Sequence, residues 1–386
     1  MGCSWASLPP AETCKDGADR GVEHALRFDT TIGSPRSLFV LLCAIPAAVA
    51  LEFLAPEHHT AIFAASATAI LPLAGYIGRA TEVLANRLGG GLGGLLNATF
   101  GNAAELIIGA LALRHGLTDL VKASLTGSII GNILLVFGLC ALVGGVRHPV
   151  QRFNRTAAGL GSTMLLLSAI GLTVPAVFHV LVRAGGSAAE LTLDTEIAAV
   201  LLITYAASLV FTLKTHRSLY TADRDIHSTE RVWPAAVGLF AATVGVAWMS
   251  ELLVGSVTAT AQALGMSDLF VGVVIVAIIG NAAEHYSAIT MAARDQMDVA
   301  IGIAVGSSTQ IALFVAPVLM FLSYAIAPAP MDLLFTVFEL VAVGLAVLTI
   351  TFIAHDGETH WMEGVQLLAV YAILVLGFYF LPARLR

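Results

Sequence analysis

The sequence predicts an all-α integral membrane protein of about eleven transmembrane helices, one N-terminal helix followed by two inverted five-helix repeats. Three observations predict it. Of 386 residues, 58% are hydrophobic and only 12% charged, with a mean hydropathy of +0.87, which is too little polar surface for a water-soluble globule. The apolar residues gather in stretches long enough to cross about 30 Å of hydrocarbon. Finally, the pentapeptide GNAAE occurs at 101–105 and again at 280–284, and a shift of 179 residues superimposes much more than those five letters.

Residues 1–36 form a polar tail of mixed charge, without the basic segment, short apolar core and cleavage site of a signal peptide. MGCSWA opens like a myristoylation signal, but Ala6 stands where that motif needs Ser or Thr. The first span is 37–55. Spans at 61–86, 92–113, 120–145, 157–182 and 195–213 make the first repeat, 61–213, and a cytoplasmic linker follows at 214–231. Spans at 232–262, 269–293, 299–325, 332–354 and 361–382 make the second repeat, 232–383. The run LGGGLGG at 88–94 lacks the Lys and Ser/Thr of a phosphate-binding loop and follows no strand, so it reads as a flexible connection between helices.

Orientation follows from the basic residues. With the tail inside, fourteen of the 19 Lys and Arg fall on the cytoplasmic side, which places the N-terminus in the cytoplasm. Cys3, Cys14, Cys43 and Cys140 form neither a paired framework nor a CxxC metal spacing.

The 179-residue shift carries Asp119 onto Asp298, Gly127 and Ser128 onto Gly306 and Ser307, Leu134 onto Leu313 and Val136 onto Val315. That is an internal repeat. Its two GNAAE copies lie five spans apart, and an odd separation makes them cross the membrane in opposite directions. Inverted repeats of transporters place their sites near the bilayer midplane, between the halves.

Glu105 and Glu284 are therefore the leading candidates for a shared site. One GNAAE alone could equally be a packing motif whose acid snorkels outward. Two symmetry-related copies favour function, because intramembrane acids are costly. Asn102 and Glu105, like Asn281 and Glu284, are three residues apart and share a face of a helix. Gly101 and Gly280 remove bulk beside them and permit a helix break or close approach. Carboxylate, amide and carbonyl oxygens suit a hard cation such as Ca²⁺. No thiolate or His cluster offers a softer site.

Burial and mutual repulsion both disfavour an ionised, empty pair of carboxylates, so protons and a divalent cation compete for the same groups. A carrier built this way crosses comfortably only when loaded, as coupled antiport requires. Ca²⁺ and H⁺ are thus expected as transported substrates, with no resident cofactor. Ser128, Ser307 and Gln310 are further candidate oxygen ligands or donors to the carboxylates, although Ser in a membrane helix often just bonds its own backbone. Gly131 lies opposite Gln310 in the repeat, which predicts an asymmetric site. Glu82 and Glu251 are read as cavity-lining or proton-relaying acids, against the plainer reading of helix acids facing water. Glu52 and Glu339 stay ambiguous, and His285 is read first as a hydrogen-bonded structural residue. HExxH, GxSxG and Asp-rich prenyl-phosphate motifs are missing, so no enzyme is expected.

The stretches GNAAELIIGALAL, GSIIGNILLVFGL, FTLKTHRSLY, GNAAEHYSAI and GSSTQIALFVAP resemble the cation/proton exchanger family of the calcium/cation antiporter superfamily, from about residue 37 to the C-terminus. The resemblance implies Ca²⁺ export or sequestration driven by a proton gradient. It implies Glu105 and Glu284 as cation and proton ligands, with Asn102, Asn281, Ser128 and Gln310 around them. It also implies a first helix that stands apart and slides as a gate. The linker at 214–231 departs from the long acidic helix of some members, since Lys214, Arg217, Arg224 and Arg231 stand beside its acids. A sodium/calcium exchanger of the same superfamily is the rival reading, disfavoured because His285 and Tyr286 follow GNAAE where a run of Ser and Thr would supply Na⁺ ligands. A passive channel fits inverted repeats poorly. The expected environment is a lipid bilayer, a bacterial inner membrane given the compact loops or a vacuolar membrane in a eukaryote, with no nucleic acid and no obligatory protein partner. A homo-oligomer is left open.

Overall fold

In hydrocarbon each backbone N–H and C=O must be bonded within its own segment, and the chain meets that demand with helices almost throughout. The computed structural model describes residues 41–182, 188–216 and 232–381, without the side chains of 89–92, 94, 98, 182, 188 and 189. The tail at 1–36, the start of the first span and the linker from 217 lie outside the described residues. Among the described residues, eight helical spans are long and apolar enough to cross a membrane, and two shorter apolar helices accompany them.

The helices are α1 (Ala44–Leu54), α2 (His59–Phe100), α3 (Ala103–Arg114), α4 (Thr118–Ile130), α5 (Phe137–Arg147), α6 (Arg155–Val182) and α7 (Ala188–Val210) in the first half. The second half holds α8 (Val232–Ala263), α9 (Asp268–Phe270), α10 (Ala277–Ala293), α11 (Met297–Gln310), α12 (Ala316–Ile326), α13 (Val337–Ile353) and α14 (Trp361–Phe380). Wider π-helical turns at Gly131–Val136, Val271–Val276 and Ile311–Val315 join α4 to α5, α9 to α10 and α11 to α12. The first and third of these coincide under the 179-residue shift, each just beyond the repeat's Ser128 or Ser307. Such turns recur at functional sites.

Three expectations are corrected. The glycine run 88–94 is helical rather than a loop, inside the 42-residue α2. The chain nevertheless reverses there: a Cβ at Gly93 would stand 2.1 Å from the Ala85 carbonyl oxygen, whereas residues eight apart in a straight helix are about 12 Å apart. Absence of side chains permits that approach. The predicted span 92–113 is broken at Gly101 and Asn102, so its first part belongs to α2 and its second is α3. The span predicted from 332 starts only at Val337, because Pro328 and Pro330 keep the preceding segment extended and a Thr336–Glu339 capping box starts α13.

That extended segment is buried at Met331, Leu333 and Phe335, and its backbone polar groups find side chains instead of helix partners. Asp194 accepts from the Leu333 N–H at 3.0 Å, and Ser323 from the Met331 N–H at 2.8 Å. Lys122 donates to Asp332 at 2.8 Å and to the Leu334 carbonyl at 2.9 Å. At the other end of the molecule, strands β1 (Gln151–Arg152) and β2 (Glu358–Thr359) pair antiparallel, and buried Gln151 donates to the Ala292 carbonyl at 3.0 Å.

The core is tightest where α4 crosses the π turn before α10. A Cβ at Gly127 would stand 1.9 Å from the Val273 carbonyl oxygen, and one at Gly272 would stand 2.6 Å from the Ala123 Cβ. Small residues let membrane helices approach this closely. The crossing brings the two halves together at the level of Ser128.

Candidate functional site

The two GNAAE copies meet, but through different local structures. In the first, Gly101 and Asn102 interrupt the helix, Asn102 is the residue preceding α3, and Glu105 lies in the first turn of α3. In the second, Asn281 and Glu284 sit within unbroken α10. The three-residue Asn–Glu spacing thus straddles a helix start in the first half and lies within a helix in the second.

The carboxyl groups cross over. A Cβ at Gly280 would stand 3.4 Å from Glu105 Cγ and 3.5 Å from its Oε1, and one at Gly101 would stand 4.0 Å from Glu284 Oε1. Each glutamate thus lies over the glycine of the opposite motif, at van der Waals distance from where a side chain there would begin. Glu105 Oε2 and Glu284 Oε2 are enclosed without a hydrogen-bond partner. Buried carboxylate oxygens left in that condition are costly unless a proton or cation joins them.

The surrounding side chains form two dissimilar sets. On one side Asn102, fully buried, donates from Nδ2 to Gln310 Oε1. On the other, Asn281 Nδ2 donates to Ser128 Oγ at 2.8 Å and to the Ala277 carbonyl at 2.9 Å. Asn281 Oδ1 accepts from Asn132 Nδ2 at 3.2 Å, and Asn132 Oδ1 faces His285 Nε2 at 3.0 Å. Ser307 hydrogen-bonds Glu284. The asymmetry anticipated from Gln310 is real and larger than anticipated, since Leu106 and Ile311 occupy the positions symmetry-related to His285 and Asn132. Ser128 and Ser307 hold the amide and the carboxyl rather than only their own backbones.

The family described as "Sodium/calcium exchanger protein" matches residues 58–214 and 234–380, nearly all of both halves. The chain belongs to this family. Among its relatives in the exchanger family, the Ca²⁺/H⁺ antiporter ChaA of Bacillus subtilis is 46% identical over 90% of this chain and 99% of its own. The Ca²⁺/H⁺ antiporter of a Synechocystis strain is 42% identical over 89% of this chain and 97% of its own. The solved structure of native YfkE superimposes with a TM-score of 0.77 at 45% identity, covering 89% of this chain and all of that one.

In this exchanger-family chain Glu82 and Glu251 stand apart from the buried pair. Glu82 is exposed on α2, and Glu251, on α8, lies 3.0 Å from His115 Nε2 with both side chains about 40% exposed. Neither acid is brought to the central carboxylates. Glu339, ambiguous from sequence, is buried as the α13 capping acid and accepts from Thr126 Oγ1 at 3.2 Å. Two site-related residues escaped the sequence reading. Asn132 carried one usable signal, an amide in the middle of an apolar span, while His115 carried none because its partner is 136 residues away.

Proposed function

We propose that this chain is a secondary active transporter exchanging Ca²⁺ for H⁺ across a membrane by alternating access, with Glu105 and Glu284 as the shared cation and proton site. The observation that carries this reading is the crossed pair of carboxyls, each over the other motif's glycine and each with an enclosed, unpartnered oxygen. Leaving two such charges empty in a low-dielectric interior costs several kcal/mol per ion. Two protons, or one divalent cation, neutralise the pair and relieve that cost. The loaded states can therefore cross and the empty state cannot, which couples the two fluxes.

Asn102, Gln310, Asn281 and Ser128 supply neutral oxygens that complete a hard-cation shell without adding charge. Gly101 and Gly280 supply the room. Relatives that are Ca²⁺/H⁺ antiporters, at 46% and 42% identity, favour protons over Na⁺ as the counter-ion. The excess of basic residues around the Arg294 end supports a cytoplasmic face there, an external or lumenal face at the His115 end, and a cytoplasmic N-terminus. Short loops and bacterial relatives favour a bacterial inner membrane. Glu82 and Glu251 then stand on the two routes into the site.

The test is ⁴⁵Ca²⁺ uptake into proteoliposomes with an imposed pH gradient. Uptake is expected to need that gradient, to ignore Na⁺, and to vanish in Glu105→Gln and Glu284→Gln. Uptake that follows a Na⁺ gradient would transfer the coupling to the rival ion.

A further inference from the structure

Inverted repeats imply that each contact closing one mouth has a counterpart at the other, made when the halves exchange conformations. The His115–Glu251 contact is such a candidate, and the repeat identifies its counterpart. His115 is the cap residue just past α3, and the 179-residue shift carries it onto Arg294, the cap residue just past α10. On the partner helices the register is ten residues shorter: TEVLA at 81–85 of α2 matches SELLV at 250–254 of α8 at a shift of 169, because the connections between the helices differ in length, and this sets Glu82 opposite Glu251.

The structure supports that second correspondence independently. Thr81 and Ser250, one residue before each acid, are both fully buried, with hydroxyls enclosed and unpartnered. The two helices thus turn a hydroxyl inward and the acid that follows it toward an accessible face. Helix α3 packs on α8 as α10 packs on α2, while α2 and α8 make the most extensive helix pairing in the molecule. The acids therefore ride on one body and the cap residues on another.

Only one of the two pairs is made. His115 Nε2 stands 3.0 Å from Glu251 Oε1, whereas Glu82 and Arg294 are exposed and neither forms an ion pair among the described residues. We infer that His115–Glu251 and Arg294–Glu82 are reciprocal latches, each holding one mouth shut while the other is open, so that the structure shows the exchanger closed at the His115 end. Partial exposure suits the role, because a half-solvated ion pair is weak enough to break in each cycle. The inference rests on the alternating access proposed above.

The test replaces the four native cysteines by alanine and introduces two pairs, His115→Cys with Glu251→Cys and Glu82→Cys with Arg294→Cys. Proteoliposomes are treated with a short bifunctional thiol reagent, and linked peptides are read by mass spectrometry. Each pair is expected to link on its own, and linking either is expected to stop ⁴⁵Ca²⁺ flux until the bridge is reduced. In the variant carrying all four cysteines, single molecules are expected to hold one bridge or the other. Failure of the 82–294 pair to link, or both bridges in one molecule, would overturn the latches. Because linking is read without transport, it fails separately from the identity of the ions. A charge exchange guards against a folding artefact: Arg294→Glu is expected to slow flux and Glu82→Arg with Arg294→Glu to restore it, while no restoration counts against the pairing.

Discussion

Gly127→Ala is the most demanding test of how the two halves are held together. The added Cβ would stand 1.9 Å from the Val273 carbonyl oxygen, 2.5 Å from its carbon and 2.6 Å from its Cα, all backbone that no rotamer change can move aside. A carbon–oxygen contact relaxes at about 3.3 Å, so α4 must retreat by roughly 1.4 Å. The neighbouring Ser128 Oγ accepts from Asn281 at 2.8 Å, and a retreat of that size along the bond breaks it. Overpacking of this kind costs about 1–3 kcal/mol, and a buried amide N–H left unpaired costs about 1–3 kcal/mol more. ⁴⁵Ca²⁺ flux per reconstituted molecule is therefore expected to fall by about tenfold or more, since each ~1.4 kcal/mol lost from the site is tenfold in occupancy. Gly131→Ala is the control: Gly131 is buried four residues along, yet a Cβ there meets nothing within 4 Å. Flux in Gly127→Ala within twofold of wild type would refute the claim that this crossing sets the site.

Gly280→Leu extends a side chain past the point where a Cβ already touches Glu105 Cγ at 3.4 Å, and this overpacking against the carboxyl is expected to weaken Ca²⁺ affinity by about tenfold or more. Calcium-dependent quenching of tryptophan fluorescence in detergent measures it. Asn132→Leu removes the group between His285 and Asn281, and the same titration is expected to show a loss of about 1 kcal/mol in binding. Lys122→Met strips Asp332 and the Leu334 carbonyl of their donor, and is expected to lower stability by about 1–2 kcal/mol in detergent melts, discounted because Asp332 is 41% exposed.

Local pattern made the spans, the inverted repeat and the two acids legible. Hydropathy reports length of apolar sequence, and an intramembrane carboxylate stands out against it wherever it falls. Boundaries misled where a glycine run or apolar length was read without the packing around it. The run at 88–94 turns the chain back while remaining helical, and the segment before Val337 stays extended because Asp194, Ser323 and Lys122 bond its backbone. Glu82 and Glu251 were marked by their acidity in apolar helices, but acidity alone did not say that, among the described residues, Glu251 meets His115 while Glu82 forms no ion pair.

By itself, the sequence determined which chemistry is possible here: two carboxylates, two amides and two glycines repeated in opposite directions through a membrane. Tertiary structure alone decided that the first motif breaks its helix while the second does not, and that each glutamate lies over the other's glycine. It alone joined His285 to Asn132 and His115 to Glu251. The reason is physical. These contacts join residues 136 to 153 positions apart, and a pairing at that distance is set by how helices pack, which leaves no period in the sequence to read.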